Sequence, residues 1–396
     1  MKNLSLFAIA ALAGAISAGC QSPPSRPERP QGELFAARDA ENAGRSRDFN
    51  ALMDGFLKRA HNKTTMAKAG SPTPPTLDLL IVSGGGDWGA FGAGVLKGWG
   101  RVKGEMARPS FDVVTGVSTG ALIAPFAFLG DDASIERVVN IYRHPREGLV
   151  KSRGLVFFLP NNPSFYTLPG LEDEMREKLD RPLLERIAAE DAGGRNLLVN
   201  TTNIDLGEMR AWDVVAETKA ALAANEPQRV YSVLLASAGI PAIFPARSIG
   251  EYLYVDGAIT GNILYGGRAK EEDSFFGRWR AAYPKVSPPR LRYWVIFNNQ
   301  FRFPPQVTAE RWPAIMSRAT IMATQTSTMN SMRHLFTLAE LVRLKYGADV
   351  QVRVMAVPDS FVPAHPDSFN AEVMNTLADI GEKMGADPSS WRTEAP

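Results

Sequence analysis

The chain has 396 residues but only one cysteine, Cys20, and four histidines, His61, His144, His334 and His365. A lone cysteine excludes an internal disulfide and a cysteine-rich zinc site. An excess of charge of one sign is also missing, because 44 Lys plus Arg stand against 42 Asp plus Glu. That balance leaves no electrostatic footprint for nucleic acid. The N-terminal apolar run, Leu4 to Ile16, is too short to span a bilayer with ease. No internal repeat is found. What remains is a chain with 45% hydrophobic residues, enough to bury a sizeable core in one large domain or two.

The first twenty residues, MKNLSLFAIAALAGAISAGC, have a lysine, an apolar stretch and then small residues, the layout of a secretory signal over residues 1–19. Cleavage there leaves Cys20 first. The run Ser17-Ala18-Gly19-Cys20 resembles the lipobox of bacterial lipoprotein precursors. That resemblance implies a diacylglyceryl thioether on Cys20 and anchoring of the mature chain to a membrane of the bacterial cell envelope, the outer membrane or a periplasmic face. The alternative is a secreted protein cut nearby. Residues 20–32 are Pro-rich and read as a tether. Residues 33–76 read as a helical packing arm of one or two helices, carrying Phe49, Leu52, Met53, Phe56 and Leu57, closed by the Pro-rich breaker Ala69 to Thr76.

From Leu77 onward strand-like runs alternate with helical ones: Leu77 to Val82, Gly89 to Val102, Phe111 to Thr115, Ser118 to Leu129. The alternation predicts an α/β domain over 77–360, with a largely parallel sheet covered on both faces by helices. Further strands are expected at Arg195 to Asp205, Glu208 to Trp212, Tyr252 to Val255, Leu291 to Asn299 and Val350 to Val357. Thr308 to Tyr346 reads as a long helical region with apolar spacing from Leu335, Leu338 and Leu341, and Gly266 to Pro289 as a charged loop. Residues 361–396 form a C-terminal helix and tail, the helix amphipathic through Phe369, Val373, Leu377, Ile380 and Met384.

Two motifs compete to explain the glycines after the first strand. Gly84-x-Gly86-x-x-Gly89 fits a dinucleotide fingerprint, but the acidic residue that fingerprint needs at the end of the second strand is absent, since Asp112 lies at that strand's beginning. The strand instead ends in Gly116-Val117-Ser118-Thr119-Gly120, a GxSxG elbow. Glycines two before and two after Ser118 let a strand turn sharply into a helix and expose the hydroxyl at the sheet edge. In a parallel sheet, Gly84, Gly85 and Gly86 then lie near Ser118, and their N–H groups are expected to receive the negative charge of a tetrahedral intermediate. Each such donor is worth roughly 100- to 1,000-fold in rate.

A serine needs a base. His365 falls late enough in the chain to complete a Ser–Asp–His order, while His61, His144 and His334 read as structural. Asp256, ahead of Gly257 and Ala258 at the end of an apolar strand, is the other candidate, although Asp-Gly by itself is ordinarily a turn.

Together, SGGGDWGAFGAGVL, GVSTG, LLASAGIPAIFPA (Leu234 to Ala246) and VDGA, in that order, resemble the patatin-like phospholipases. The resemblance spans Leu77 to Asn262. It implies a three-layer α/β/α fold, a lipid or acyl-ester substrate, no metal or organic cofactor, and a Ser–Asp dyad without histidine. In this sequence those are Ser118 as nucleophile, Asp256 as base, and Gly84, Gly85 and Gly86 as the oxyanion loop, with Gly89, Gly116, Gly120, Gly257 and Ala258 as supporting motif positions. One departure stands out: Asp87-Trp88 occupies the place where the family usually has Arg or Lys, with an expected effect on substrate charge preference or loop support. A non-catalytic lipid-binding lipoprotein is the reading from another class. Trp88, Phe91, Phe126, Phe157, Phe158, Phe165 and Tyr166 are candidates to line an acyl pocket, with plain core as the reading for most of them, and Gly154 to Pro160 reads as a lid or pocket segment.

Overall fold

The computed structural model describes residues 26–66, 75–146, 148–154, 164–266, 270–365 and 368–396. The expected signal segment, Cys20, most of the tether, Phe157 and Phe158 lie outside the described residues.

The arm is a single helix, α1 (Gln31–Met66), and the domain begins with β1 (Thr76–Val82). There follow α2 (Gly89–Trp99), β2 (Val113–Val117), α3 (Thr119–Leu129), α4 (Asp132–Arg143), α5 (Pro169–Lys178) and α6 (Arg181–Ala189). The middle of the chain forms β3 (Asn196–Asn203), β4 (Glu208–Asp213), α7 (Val214–Ala224), α8 (Gln228–Ser237), β5 (Arg247–Ile249) and β6 (Tyr252–Asp256). Last come α9 (Phe275–Ala282), β7 (Arg290–Phe297), α10 (Trp312–Tyr346), β8 (Val350–Ala356) and α11 (Ala371–Gly385).

These strands make one eight-stranded sheet, in the order β8-β7-β1-β2-β3-β6-β5 with β4 also paired to β3. The pairs from β8 to β3 are parallel, and β4, β5 and β6 add antiparallel pairs at one side. The period of two along each strand divides the core. Leu80 and Val82 of β1 and Trp294 and Ile296 of β7 point to the face covered by α2, α3, α4 and α11. Leu77, Ile81, Leu291, Val295 and Phe297 point to the face covered by α1, α9 and α10. The fold is therefore mixed α/β, with a mostly parallel sheet between two helical layers.

The small residues of α2 serve packing. A Cβ on Gly94 or Gly98 would collide with the carbonyls of Ala378 and Glu382 in α11, and one on Gly381 or Gly385 with those of Phe91 and Val95. The C-terminal helix is thus locked into the domain, and Val354 of β8 bridges Arg392 beyond it.

Two expectations change. The charged loop over 266–289 contains α9, capped by the Ser274 hydroxyl accepting from Gly277 N–H at 3.0 Å. Its Phe275, Phe276 and Trp279 are buried. Burial of each contributes roughly 1.5–3 kcal/mol, which outweighs the polarity of the flanking residues. In α10 the buried stripe is Met329, Met332, Leu335 and Ala339, and Leu341 is 55% exposed.

Candidate active site

The register of the sheet brings the distant motifs together. β1 and β2 run parallel with Val82 opposite Gly116, so the residues that follow, Gly84 and Ser118, leave the rim at the same level. Along one flank of β3, Asn196 to Asn200 pair with β2, up to Val117. The next residues on that flank, Thr201 to Asn203, pair antiparallel with β6, beginning at Asp256. The other flank is occupied by β4. β2 and β6 therefore run tip to tip against the same edge of β3, and Ser118 and Asp256 sit where their ends meet.

Ser118 has φ 55° and ψ −125°, a left-handed conformation rare for a residue with a Cβ. The strand reverses into α3 within this one residue. Serine at a helix start usually caps it, yet the Ser118 side chain makes no capping hydrogen bond, which leaves Oγ available for other partners. A Cβ on Gly116 would strike the Gly120 carbonyl, and one on Gly120 the Val82 carbonyl, so the elbow needs both glycines. The Ser118 amide donates to Ser237 Oγ at 2.9 Å, and Ser237 in turn donates to the Asn200 carbonyl. Ser237 thereby pins the elbow to β3.

Asp256 is 2% exposed. Its Oδ1 accepts from Ala258 N–H at 2.8 Å, while Oδ2 has no hydrogen-bond partner among the described residues. Burial pushes the carboxyl up to about 7, opposed by the Ala258 N–H and by the nearby Ser118 hydroxyl. The hydroxyl is thus close enough to act on the carboxyl electrostatically, but the two do not close a well-formed hydrogen bond at rest. Thr202 Oγ1 donates to the Asp256 carbonyl at 2.9 Å, and Asn200 Nδ2 donates to the carbonyls of Gly257 and Gly261 at 2.9 Å each. Gly257 is required because a Cβ would strike the Asn200 carbonyl.

The glycine triplet is not a uniform row of donors. Gly84 N–H donates to Asn262 Oδ1 at 2.7 Å, and a Cβ on Gly84 would stand 2.6 Å from that oxygen and 2.8 Å from Ser118 Cβ. Its amide is committed. The amides of Gly85 and Gly86 have no acceptor among the described residues. Gly85 passes over the end of β7, where a Cβ would strike the Asn298 carbonyl, and Gly86 has φ +61°. Asn298 holds the base of the loop, donating from Nδ2 to the Ser83 carbonyl at 2.8 Å and from its amide to Ser83 Oγ at 2.9 Å. Gly89 is crowded by Thr119 and Tyr142.

Asp87 has a structural task. Its carboxylate accepts from Phe369 N–H at 2.8 Å, and Trp88 packs edge-on against Phe361 with centroids 5.4 Å apart. The loop is supported by the C-terminal segment. Burial raises the Asp87 carboxyl above its usual range, against the Phe369 N–H.

No described histidine contacts the pair. His365 bonds Glu372 at 3.1 Å on the surface, His334 bonds the Tyr265 hydroxyl at 2.6 Å, and His61 stacks on Tyr283. Asp112 lies at the opposite end of the sheet, bound to Arg59 and Lys63, which removes the dinucleotide reading of the loop. Phe91 and Phe126 are fully buried in the core and line no open pocket. A cleft of about 460 Å³ reaches Gly85, with Trp88 on one side and Ala314, Ser317, Arg318 and Ile321 of α10 on the other. Among the described residues no group of His, Cys, Asp and Glu forms a metal site. The sequence alone does not mark Ser237, Asn262 or Asn298 as site residues. Their one signal is that each is a polar residue in or next to an apolar or glycine-containing motif.

The sequence model of the Patatin-like phospholipase family matches residues 80–266. No curated protein matches the chain. Among solved structures it is similar to VipD from Legionella pneumophila, at 13% identity and a TM-score of 0.37, over 83% of this chain and 70% of that one. Residues 80–266, the stretch that matches the Patatin-like phospholipase family model, hold the Ser118 elbow, the glycine loop and Asp256.

Proposed function

We propose that the protein is a serine acyl hydrolase of lipid esters, of the phospholipase A type, working through a Ser118–Asp256 dyad. The observation that carries this reading is the buried Asp256 carboxyl beside the Ser118 hydroxyl: among the described residues its Oδ2 has no hydrogen-bond partner and the carboxyl has no cation. Ser118 Oγ attacks the ester carbonyl as its proton passes to Asp256. The carbonyl oxygen becomes an oxyanion and is held by the amides of Gly85 and Gly86. Collapse breaks the ester C–O bond, and the alcohol leaves with the proton from Asp256. Water then attacks the acyl-Ser118 ester, giving its proton to Asp256, and the acid is released with Ser118 restored. A carboxyl near 7 suits both directions of proton transfer at neutral pH.

Turnover of soluble short-chain acyl esters by the wild type, Ser118→Ala and Asp256→Asn tests the dyad. Near-complete loss in both variants is expected, and undiminished turnover in either removes the assignment. The same proposal includes a lipid anchor on Cys20 and a place in the bacterial cell envelope, supported by the lipobox-like residues 17–20. Metabolic labelling with a fatty-acid analogue, lost in Cys20→Ser, checks the anchor.

A further inference from the structure

The first part of α10 leaves the body of the domain. Its buried residues begin at Gln325, so residues 312–324, roughly 20 Å of helix at 1.5 Å per residue, have no buried member. At 100° per residue this segment has two unlike faces. Ala314, Ser317, Arg318 and Ile321 line the cleft that reaches Gly85. The opposite face holds Trp312, Ile315, Met316, Ala319, Met322 and Ala323. Trp312 is 76% exposed, and Ile315, Met316 and Met322 are 52%, 59% and 47% exposed. The apolar character stops abruptly, since the same outward face continues as Thr326, Asn330 and Arg333, also exposed. A solvated face has no reason to change in this way halfway along one helix, and an exposed apolar patch of this kind marks a contact surface.

We propose that this face of α10 is an interfacial docking element that seats the domain on a phospholipid bilayer. The choice of a bilayer rests on the reading of Ser118 as a lipid-ester nucleophile. Charge points the same way: residues 299–322 carry Arg302, Arg311 and Arg318 against Glu310, and with Asp359, which lies 4.0 Å from Arg302, the rim keeps a net positive charge suited to anionic headgroups. Trp312, at the start of the helix, is the residue type that settles at the headgroup boundary. No described helix is long and apolar enough to cross a membrane, so the contact is interfacial.

The single cysteine makes the test clean. In the full chain carrying Cys20→Ser and Ser118→Ala, an environment-sensitive fluorophore is attached through Met316→Cys or, as the control on the polar half of the same face, Asn330→Cys. Vesicles of phosphatidylcholine with phosphatidylglycerol are added. A blue shift with brightening at residue 316 and none at residue 330 is expected. An unchanged spectrum at 316 overturns the proposal. So does an equal shift before vesicles are added, which means that the face is covered by another copy or by the chain itself. Because Ser118 is already replaced, this outcome is independent of the nucleophile assignment, which soluble-ester turnover reads separately. With Ser118 intact, combined Trp312→Ser, Ile315→Ser, Met316→Ser and Met322→Ser should lower the ratio of vesicle to soluble-ester turnover about tenfold. An unchanged ratio also overturns it.

Discussion

Two buried carboxylates at opposite ends of one sheet have opposite surroundings. Asp112, just before β2, is fully buried and saturated: Arg59 Nε donates at 2.6 Å, Lys63 Nζ at 2.8 Å and Asp78 N–H at 2.9 Å. Asp78 beside it is matched by Arg292 at 2.7 and 2.9 Å and by the Trp294 indole at 2.8 Å. Asp256, at the tip of β6, has one backbone donor, a nearby hydroxyl and, among the described residues, no cation. A carboxylate whose charge is neutralised by cations fastens elements together, here α1 to the sheet. A carboxylate buried without one retains proton affinity. The chain keeps its ion-paired acids at the strand starts and the acid proposed as the base at the rim.

Exchanging charge for amide at each end separates the two roles. Asp256→Asn should cut kcat/KM on a soluble ester about 1,000-fold or more. Asp112→Asn should leave activity per folded molecule unchanged. It should cost roughly 2 kcal/mol of stability, below the value for a fully buried pair because Arg59 and Lys63 are partly exposed, as a urea titration would read.

The stability effect of Asp256→Asn has the other sign. The Asp256 carboxyl rises on folding from 3.8 to about 7, so the folded state holds the proton more tightly. Its contribution is present below about pH 4 and is lost as pH rises through 7. Melting curves should therefore show Asp256→Asn gaining on the wild type between pH 4 and pH 8.

In the proposed dyad the same group sets the activity profile. Only the ionised carboxylate accepts the serine proton, so kcat/KM should fall about tenfold per pH unit below the Asp256 pKa and level off above it. An acid limb near pH 4 would show Asp256 to be as solvated as an ordinary surface carboxylate. Smaller again, Ser237→Ala should lower kcat about tenfold by freeing the Ser118 amide. His365→Ala, on the exposed Glu372 pair, should stay within about twofold.

The parts of this arrangement that the sequence reveals are local. The elbow at Ser118, the glycine loop and the Asp256-Gly257 turn are short-range backbone demands, written as glycine spacing beside apolar runs. The parallel sheet follows from strand and helix periods. The tip-to-tip meeting of β2 and β6 was not legible, because strand direction depends on pairing between distant segments. Nor was the Gly84–Asn262 hydrogen bond, which joins residues 178 apart and takes one expected donor out of the oxyanion loop. Asp87 was visible as a departure, but its bond to Phe369, across 282 residues, gives it a task only the fold reveals. In α9, acidic and basic neighbours hid the aromatic face of Phe275, Phe276 and Trp279. The split character of α10 needs burial, which periodicity alone does not supply.

The most direct measurement is the rate at which a fluorophosphonate labels the folded protein, followed by mapping of the adduct by mass spectrometry. The account predicts one adduct, on Ser118, forming faster as pH rises through about 7 and much more slowly in Asp256→Asn. An adduct on another residue, or an Asp256→Asn variant labelled as fast as the wild type at every pH, would contradict it.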